Sequence, residues 1–264
     1  MQDIRDIIFK SIENQKFNAL LIPERNGLLS GVKYALEEAE KIKIEIEFYK
    51  KEGNQIERDK PIAKISAFPK NMALAEERII GTLSKFSGIA TAAKKAVDFS
   101  EGKIRVVSGS WKKMPPSIKD GVRSAIVSGG AHFRITDDNM IYLDKNYIKM
   151  FGSIPKTLDA VKDFKSFTKV IQIKGKQLTV EEETRRALEN GCGILMVDTG
   201  EINDVVRCLK IVDSMGMRNK VKIAFAGGIK IIEIKELAKL GIDVLCIGKE
   251  IVDAPLLDMR LDVI

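Results

Sequence analysis

Six short hydrophobic segments in the second part of the chain each end on polar or glycine residues. They lie at residues 103–113, 139–146, 169–176, 193–200, 220–229 and 243–250. The first five are followed by stretches with helical periodicity, and this alternation predicts parallel strands joined by helices. Because the carboxyl ends of parallel strands gather on one face, we expect the functional residues at these strand ends.

The first part of the chain has a mixed α and β pattern. Apolar spacing predicts helices over 1–15, 31–41 and 72–97, and predicts strands over 42–56 and 62–69. Gly81 and Gly88 fall inside the longest helix, where each costs about 1 kcal/mol relative to alanine. We therefore expect close packing or a break at these glycines. The pattern predicts two domains, 1–102 and 103–264, with the long helix as their connection.

Composition places the chain among globular proteins. Its 264 residues are 45% hydrophobic, enough for a substantial core, and its apolar runs are shorter than the roughly 20 residues that cross a bilayer. We therefore expect a cytoplasmic protein without membrane contact. Cys192, Cys208 and Cys246 show no Cys-x-x-Cys spacing, so neither a disulfide framework nor a zinc site is indicated. His132 is the only histidine, which argues against a Ser-His-Asp or Cys-His mechanism.

The net charge of +7 is compatible with three interpretations. Lysine and glutamate alternate along segments such as EEAEKIKIE, which favours solvated helix faces in a lysine-rich composition. The second interpretation is that the positive charge serves a phosphate-rich small ligand. Binding to nucleic acid is the third and least favoured, because the basic residues are not gathered in one block.

Some strand ends carry groups suited to a phosphorylated ligand. Lys112 follows the first strand and is placed to meet an anion. Gly227 and Gly228 follow the strand VKIAF, where paired glycines form either an anion-binding loop or a simple tight turn. Asp198 ends the apolar strand ILMVD, where a carboxylate orients ribose hydroxyls, binds magnesium or caps a helix.

The order of the motifs resembles the quinolinate phosphoribosyltransferase family over nearly the whole chain. The segments that carry this likeness are PERNGLLSG, AEERIIGTLSKFSGIAT, SGGAHFR, LMVDTG, IAFAGGI and IDVLCIGKEIVDAPLLDMRL. The resemblance implies an N-terminal α/β-sandwich domain followed by an incomplete α/β (TIM-like) barrel, and a homodimer with shared active sites. It also implies transfer of a phosphoribosyl group from phosphoribosyl pyrophosphate, with Mg²⁺, to quinolinate.

The resemblance assigns roles to residues at matching positions. Arg78 matches the arginine lent across the dimer, Lys112 a catalytic lysine, and Arg134 a substrate-binding arginine. Asp198 matches the aspartate beside the ribose and the metal, and thus a catalytic and metal-binding residue. The phosphate-binding glycines of the family match Gly227, Gly228 and Gly248.

Other positions depart from the family pattern. Trp111 replaces an arginine, Phe133 a histidine and Asp144 a lysine, so the acceptor pocket is more aromatic and less positive, with Trp111 and Asp144 as substrate-binding candidates. Further departures are Ala224, Ala226 and Val252, and the family's metal-side glutamate maps near Gln172 or Gln177. We expect a diverged phosphoribosyltransferase with another acceptor. The alternatives are a non-catalytic nucleotide-binding or scaffold paralogue and a true quinolinate enzyme.

Overall fold

The computed structural model describes residues 3–176 and 178–264 of the chain, which form two compact units. The first unit combines the described part of Met1–Lys95 with Trp111–Ala131 and Ile251–Ile264, and the second combines Ala96–Ser110 with His132–Glu250. No helix within the described ranges is both long and apolar enough to cross a bilayer.

The first unit is built on a four-stranded antiparallel sheet with the strand order β12-β1-β5-β3. The strands of this unit are β1 (Phe17–Pro23), β2 (Gly27–Leu28), β3 (Glu45–Phe48), β4 (Gln55–Ile56), β5 (Ala63–Ala67) and β12 (Met259–Val263). β2 and β4 form a separate two-stranded ladder. Alternate residues of β5 are buried, and they join Leu21 of β1 in one apolar core.

The helices of the first unit are α1 (Ile4–Ile8), α2 (Val32–Lys41), α3 (Pro69–Ala75) and α5 (Lys119–Ser128), together with most of α4 (Gly81–Ser100), whose last residues belong to the second unit. A π-helical segment, Glu76–Ile80, joins α3 to α4. The predicted long helix is therefore present but is interrupted just before Gly81. Gly88 packs so closely on the carbonyl of Pro255 that a Cβ atom would overlap it, which confirms the close packing expected there.

The second unit contains a six-stranded parallel sheet with the order β6-β11-β10-β9-β8-β7. Its strands are β6 (Arg105–Val107), β7 (Met140–Leu143), β8 (Thr168–Ile173), β9 (Ile194–Asp198), β10 (Lys222–Ala226) and β11 (Val244–Cys246). Its helices are α6 (Lys145–Phe151), α7 (Ile154–Asp159), α8 (Val180–Glu189), α9 (Ile202–Ser214) and α10 (Ile234–Leu237), and α11 (Lys249–Val252) runs from this unit into the first.

Side chains from both edge strands share one interior. Val107 of β6 and Tyr142 of β7 join the same apolar cluster as Val170, Ile194 and Ala224 from the central strands. This arrangement, with its parallel strands and intervening helices, confirms the predicted incomplete α/β barrel. All six predicted strands are present, and each is shorter than its hydrophobic segment because the polar ends lie in loops.

Two predictions for the ends of the chain differ from the structure. The helix predicted over 1–15 is only Ile4–Ile8, and its isoleucines are exposed, so no packing partner among the described residues extends it. The C-terminal segment, which the sequence grouped with the barrel, forms β12 and pairs with β1 in the first unit. Pairing between distant strands leaves no local signal in the sequence, because the partner residues are far apart along the chain.

Candidate functional site

Polar side chains at the ends of β8 and β9 point into the same side of the second unit as its apolar cluster. Alternation along a strand puts Gln172 on the same face as Val170, and puts Asp198 on the same face as Ile194. In the parallel ladder Gln172 is opposite Met196, so the next inward positions, at residue 174 and at Asp198, are adjacent. The sheet register therefore brings these polar groups together.

Asp198 is in contact with two donors, one in the neighbouring strand β8 and one just after its end. Gln172 Nε2 donates to Asp198 Oδ2 at 2.6 Å, and Lys174 Nζ lies 3.0 Å from the same oxygen. Lys174 Nζ also donates to the backbone oxygen of Asp198. The side chains of Lys174 and Asp198 are 25% and 28% exposed, so this ion pair is accessible from solvent at the strand ends.

Buried groups hold this ion pair in place. Gln172 is only 7% exposed, and its Oε1 accepts a hydrogen bond of 2.8 Å from the backbone nitrogen of Lys145. Glu183 of α8 is also buried, and its Oε2 accepts from the backbone nitrogens of Lys174 and Gly175 at 2.8 and 2.9 Å. The buried glutamate thus fixes the loop that carries Lys174.

The loops that follow β9 and β10 touch through their backbones. Gly200 N donates to Ala226 O at 3.0 Å, and a Cβ atom on either Gly200 or Gly227 would overlap the backbone of the other. Both glycines have positive φ, 79° and 121°. Gly228 also has positive φ, 80°, but the space beside it is open. Gly200 and Gly227 therefore allow the two loops to make a close contact, whereas Gly228 faces open space.

Carboxylates occupy the backbone donors that come after the glycine pair. Ile231 N donates to Glu250 Oε2 at 2.6 Å, and Lys230 N donates to Glu233 Oε2 at 2.7 Å. Lys230 Nζ also lies 3.5 Å from Glu250 Oε1. The carboxylates of Glu233 and Glu250 thus reduce the positive potential that these backbone donors would offer to an anion. On the neighbouring loop, Gly248 lies so close to the hydroxyl of Ser110 that any side chain would overlap it.

Asp144 caps a helix. It precedes α6, and its Oδ1 accepts from the backbone nitrogens of Asn146 and Tyr147 at 2.8 and 3.2 Å. On the strand before it, burial raises the pKa of Tyr142 far above its usual value, and the negative charges of Asp198 and Asp144 add to that shift. The phenol therefore stays protonated beside the two carboxylates.

The segment that follows α5 runs beside β6. His132 forms a parallel bridge with Val107, and Asp137 receives two hydrogen bonds from Arg105, of 3.0 and 2.6 Å. The hydrogen bond from Arg105 lowers the pKa of Asp137, and Arg134 contributes charge in the same direction. Partial burial and the charge of Arg105 lower the pKa of His132, so the imidazole is neutral at physiological pH.

The comparisons with known proteins agree over the whole chain. Sequence profiles of the quinolinate phosphoribosyl transferase N-terminal and C-terminal domains match residues 6–87 and 89–262. The chain belongs to the quinolinate phosphoribosyltransferase family.

Individual relatives of this family are distant in sequence. A probable nicotinate-nucleotide pyrophosphorylase [carboxylating] of Archaeoglobus fulgidus is 26% identical over 259 residues, which cover 96% of this chain and 97% of the relative. Another from Methanothermobacter thermautotrophicus is 24% identical over 92% of this chain and 87% of the relative. The structure of the nicotinate-nucleotide pyrophosphorylase from Francisella tularensis matches 98% of this chain and 90% of its own, with a TM-score of 0.82 at 21% identity. The structural likeness supports the fold.

The candidate site residues, both those that match the family's motifs and those that depart from them, divide between the two units. The second unit holds Asp144, Arg134, Asp198, Gly227, Gly228 and Gly248. The first holds Arg78, Trp111 and Lys112. Arg78 lies in the π-helical segment, is half exposed, and reaches Glu38 Oε2 at 3.8 Å. Asp144, Asp198 and the three glycines lie at or just after strand ends, as the sequence predicted. Trp111 and Lys112, which the sequence grouped with the barrel domain 103–264, belong instead to the first unit, and Arg134 lies in the segment between α5 and β7. The roles of all these residues stay predictions.

Trp111 has a cationic neighbour that sequence reasoning missed. The guanidinium carbon of Arg123, on α5, lies 4.8 Å from the centre of the Trp111 ring. Such a separation is typical of a cation–π contact. The chain lacks the arginine that the family pattern has at position 111, but Arg123 places a guanidinium group beside the tryptophan that replaces it. Lys112 is exposed in the same 3₁₀ turn, Ser110–Lys113.

Sequence reasoning also missed Lys174 and Glu183. Alternation beyond the end of β8 would have placed residue 174 on the inward face, but the apolar pattern stops at Ile173 and gives no further signal. Gln177, one of the two positions to which the family's metal-side glutamate was mapped, lies outside the described residues. The other, Gln172, contacts Asp198 directly.

A resident magnesium site does not fit the donors around Asp198. Magnesium prefers oxygen ligands, yet Oδ2 of Asp198 is contacted by an amide nitrogen and an ammonium nitrogen. Within the described ranges, no three His, Cys, Asp or Glu side chains are grouped so that they could hold a metal ion.

A groove of about 540 Å³ lies elsewhere in the second unit, at the amino end of β10. Arg218 in its wall pairs with Asp243 at 3.0 Å and donates to the carbonyl of Gly241 at 2.6 Å. Because its polar groups bond to one another, and because it is at the opposite end of β10 from Gly227, we do not assign the site to this groove.

Proposed function

We propose that this member of the family is a phosphoribosyltransferase that binds phosphoribosyl pyrophosphate or a related phosphate ligand. The observation that carries this proposal is the set of polar groups at the ends of β8 and β9, where Asp198 is held by Gln172 and Lys174. A fixed carboxylate at such a position is suited to hydrogen-bond ribose hydroxyls. The relatives named above are nicotinate-nucleotide pyrophosphorylases, so a role connected with NAD biosynthesis forms part of the proposal.

The acceptor in this proposal is a flat aromatic base other than quinolinate. Quinolinate carries two carboxylates, and the family pattern would meet them with an arginine and a lysine where this chain has Trp111 and Asp144. Arg123 beside Trp111 leaves one cation next to an aromatic face. A base with one anionic group suits this single cation and aromatic face better than a dianion does.

In the reaction, a ring nitrogen of the base bonds to C1 of the ribose as the bond from C1 to pyrophosphate breaks. Lys112 stabilises the negative charge of the departing pyrophosphate and Arg134 binds substrate, as their matches in the family imply. Further parts of the proposal are a cytoplasmic homodimer to whose shared sites each chain lends Arg78, and the absence of nucleic-acid binding. The Mg²⁺ expected with phosphoribosyl pyrophosphate stays a prediction.

A second function, ligand binding without catalysis, is favoured by one specific observation. Glu250 and Glu233 occupy backbone donors after the glycine pair, which weakens a phosphate site that the family reaction needs. A non-catalytic nucleotide-binding or regulatory paralogue would tolerate this change.

Calorimetric titration with phosphoribosyl pyrophosphate, followed by a pyrophosphate-release assay, separates these functions. Bases with one carboxylate, with two carboxylates and with none are compared. Binding followed by release with a base other than quinolinate supports the proposal, and release with quinolinate alone refutes the altered acceptor. Binding without release supports the non-catalytic paralogue. Lys112→Met is expected to abolish release, whereas Lys113→Met, at the exposed neighbouring position, is the matched control and retains it.

A further inference from the structure

A backbone N–H group fixes the orientation of the Gln172 amide beside Asp198. The backbone N–H of Lys145 can only donate, and it lies 2.8 Å from Gln172 Oε1. The amide oxygen is therefore turned toward Lys145, and the NH₂ group is turned toward Asp198 Oδ2 at 2.6 Å. A glutamine fixed in this orientation offers a metal ion no oxygen on the Asp198 side.

The ammonium of Lys174 already supplies a positive charge to Asp198. It is 3.0 Å from Oδ2, whereas a divalent cation beside the same carboxylate would face both this ammonium and the Gln172 NH₂ group. An ammonium has three N–H donors, and within the described residues Lys174 meets two acceptors, both on Asp198. One donor is thus left for a ligand, at a side chain that is 25% exposed.

The position of Lys174 is rigidly defined. Glu183 accepts hydrogen bonds from the backbone nitrogens of Lys174 and Gly175, and it is itself only 8% exposed. Gly175 has a φ of 60°, and a Cβ atom there would approach Val180 to 2.9 Å. The loop is therefore shaped to present this lysine at the strand ends. A lysine held in this way is pre-organised for an anion, as a bound metal ion would be.

We propose that the Lys174 ammonium takes the place of a divalent cation beside Asp198 and contacts a phosphate oxygen of the ligand directly, so that ligand binding does not require a metal. This inference rests on the proposed function, because it assumes a phosphoribosyl ligand at these strand ends. Its chemistry is limited to binding and involves no covalent step.

The test is calorimetric titration of the purified protein with phosphoribosyl pyrophosphate, in EDTA and in Mg²⁺. We expect the two dissociation constants of the wild-type protein to agree within about a factor of three. Lys174→Met is expected to weaken binding in EDTA by about ten- to a hundredfold, the loss typical of one hydrogen bond to a charged group. Lys174→Arg retains the charge and is expected to restore most of the affinity, and Lys176→Met, in the same exposed loop, is the matched control with wild-type affinity.

A direct measurement of metal binding by the protein complements the titration, because Mg²⁺ also binds free phosphoribosyl pyrophosphate. The spectrum of free Mn²⁺ is measured by electron paramagnetic resonance in the presence of protein alone, and we expect the wild-type protein to leave it unchanged. Circular dichroism of Lys174→Met checks that the variant is folded.

Three results would overturn the inference. Wild-type binding only with Mg²⁺ refutes metal independence but leaves the proposed function standing. Equal affinities of wild type and folded Lys174→Met in EDTA refute the role of the lysine. Absence of binding in both buffers refutes the proposed function as well, so the two failures are distinguishable.

Discussion

Replacing Gln172 by glutamate is expected to convert the contact with Asp198 from attraction to repulsion. The change replaces the NH₂ group by an oxygen at the 2.6 Å position and leaves the acceptor for the Lys145 N–H in place. Losing a hydrogen bond to a charged group costs about 1.5–3 kcal/mol. Two unit charges 4 Å apart at an effective dielectric constant of 20 add about 4 kcal/mol of repulsion. Lys174 offsets part of that repulsion, so we expect a loss of about 3–5 kcal/mol in the free energy of unfolding at neutral pH.

The loss should depend on pH. Repulsion raises the pKa of the new carboxyl in the folded protein above its value of about 4.3 in the unfolded chain. Its protonated form therefore adds stability at low pH, and this contribution is lost as the pH rises through the folded-state pKa. Urea unfolding, followed by circular dichroism, is compared at about pH 5 and about pH 8, and the loss should be larger at the higher pH.

Gln172→Met is the uncharged control, because it removes the hydrogen bond to Asp198, together with the one from Lys145, without adding a charge that titrates. We expect its loss of stability to be nearly equal at the two pH values, whereas the loss for Gln172→Glu is larger at the higher pH. If the loss for Gln172→Glu is no more dependent on pH than the loss for Gln172→Met, the glutamate does not face the Asp198 carboxylate. The geometry on which the metal-independence argument depends would then be refuted.

Three further predictions concern other parts of the chain. Glu52 accepts hydrogen bonds from the backbone nitrogens of Gly31 and Val32, at the start of α2, and from two serine hydroxyls. Glu52→Ala should therefore lower the free energy of unfolding by about 2 kcal/mol in urea titrations, and Glu52→Gln by less. Gly88→Ala should lower the melting temperature because its Cβ would overlap a carbonyl, whereas Gly81→Ala, with open space at its Cβ position, should not; equal effects would contradict the packing argument. Burial raises the pKa of Cys208 to about 11 and that of Cys192 to about 12, so mass spectrometry should find both unlabelled by iodoacetamide until the protein unfolds.

Local patterns were sufficient to predict the main elements of the fold. The apolar strand that ends at Asp198 and the alternating burial of β5 are visible in short windows of sequence, because strand periodicity reflects burial on one face. The motifs then predicted the family, and the matches over residues 6–87 and 89–262 confirmed it. These predictions succeeded because they depend on residues that are near in sequence.

The finer structure of the site depends on contacts between distant residues. The salt bridge from Lys174 to Asp198 needs the register of β8 against β9, and the contact of Arg123 with Trp111 needs the path of the chain into α5. Asp144 was predicted to contact the substrate, but a helix cap uses the same short acidic side chain, and sequence alone does not separate the two roles. These arrangements follow from tertiary structure.

The pairing of β12 with β1 has a consequence for biosynthesis. β12 leaves the ribosome only after the whole parallel sheet has been translated, and until then the edge of β1 has no partner in the four-stranded sheet. An open edge with unpaired N–H and C=O groups is a template for aggregation. We therefore expect the nascent chain to be most prone to aggregation in the interval before β12 emerges.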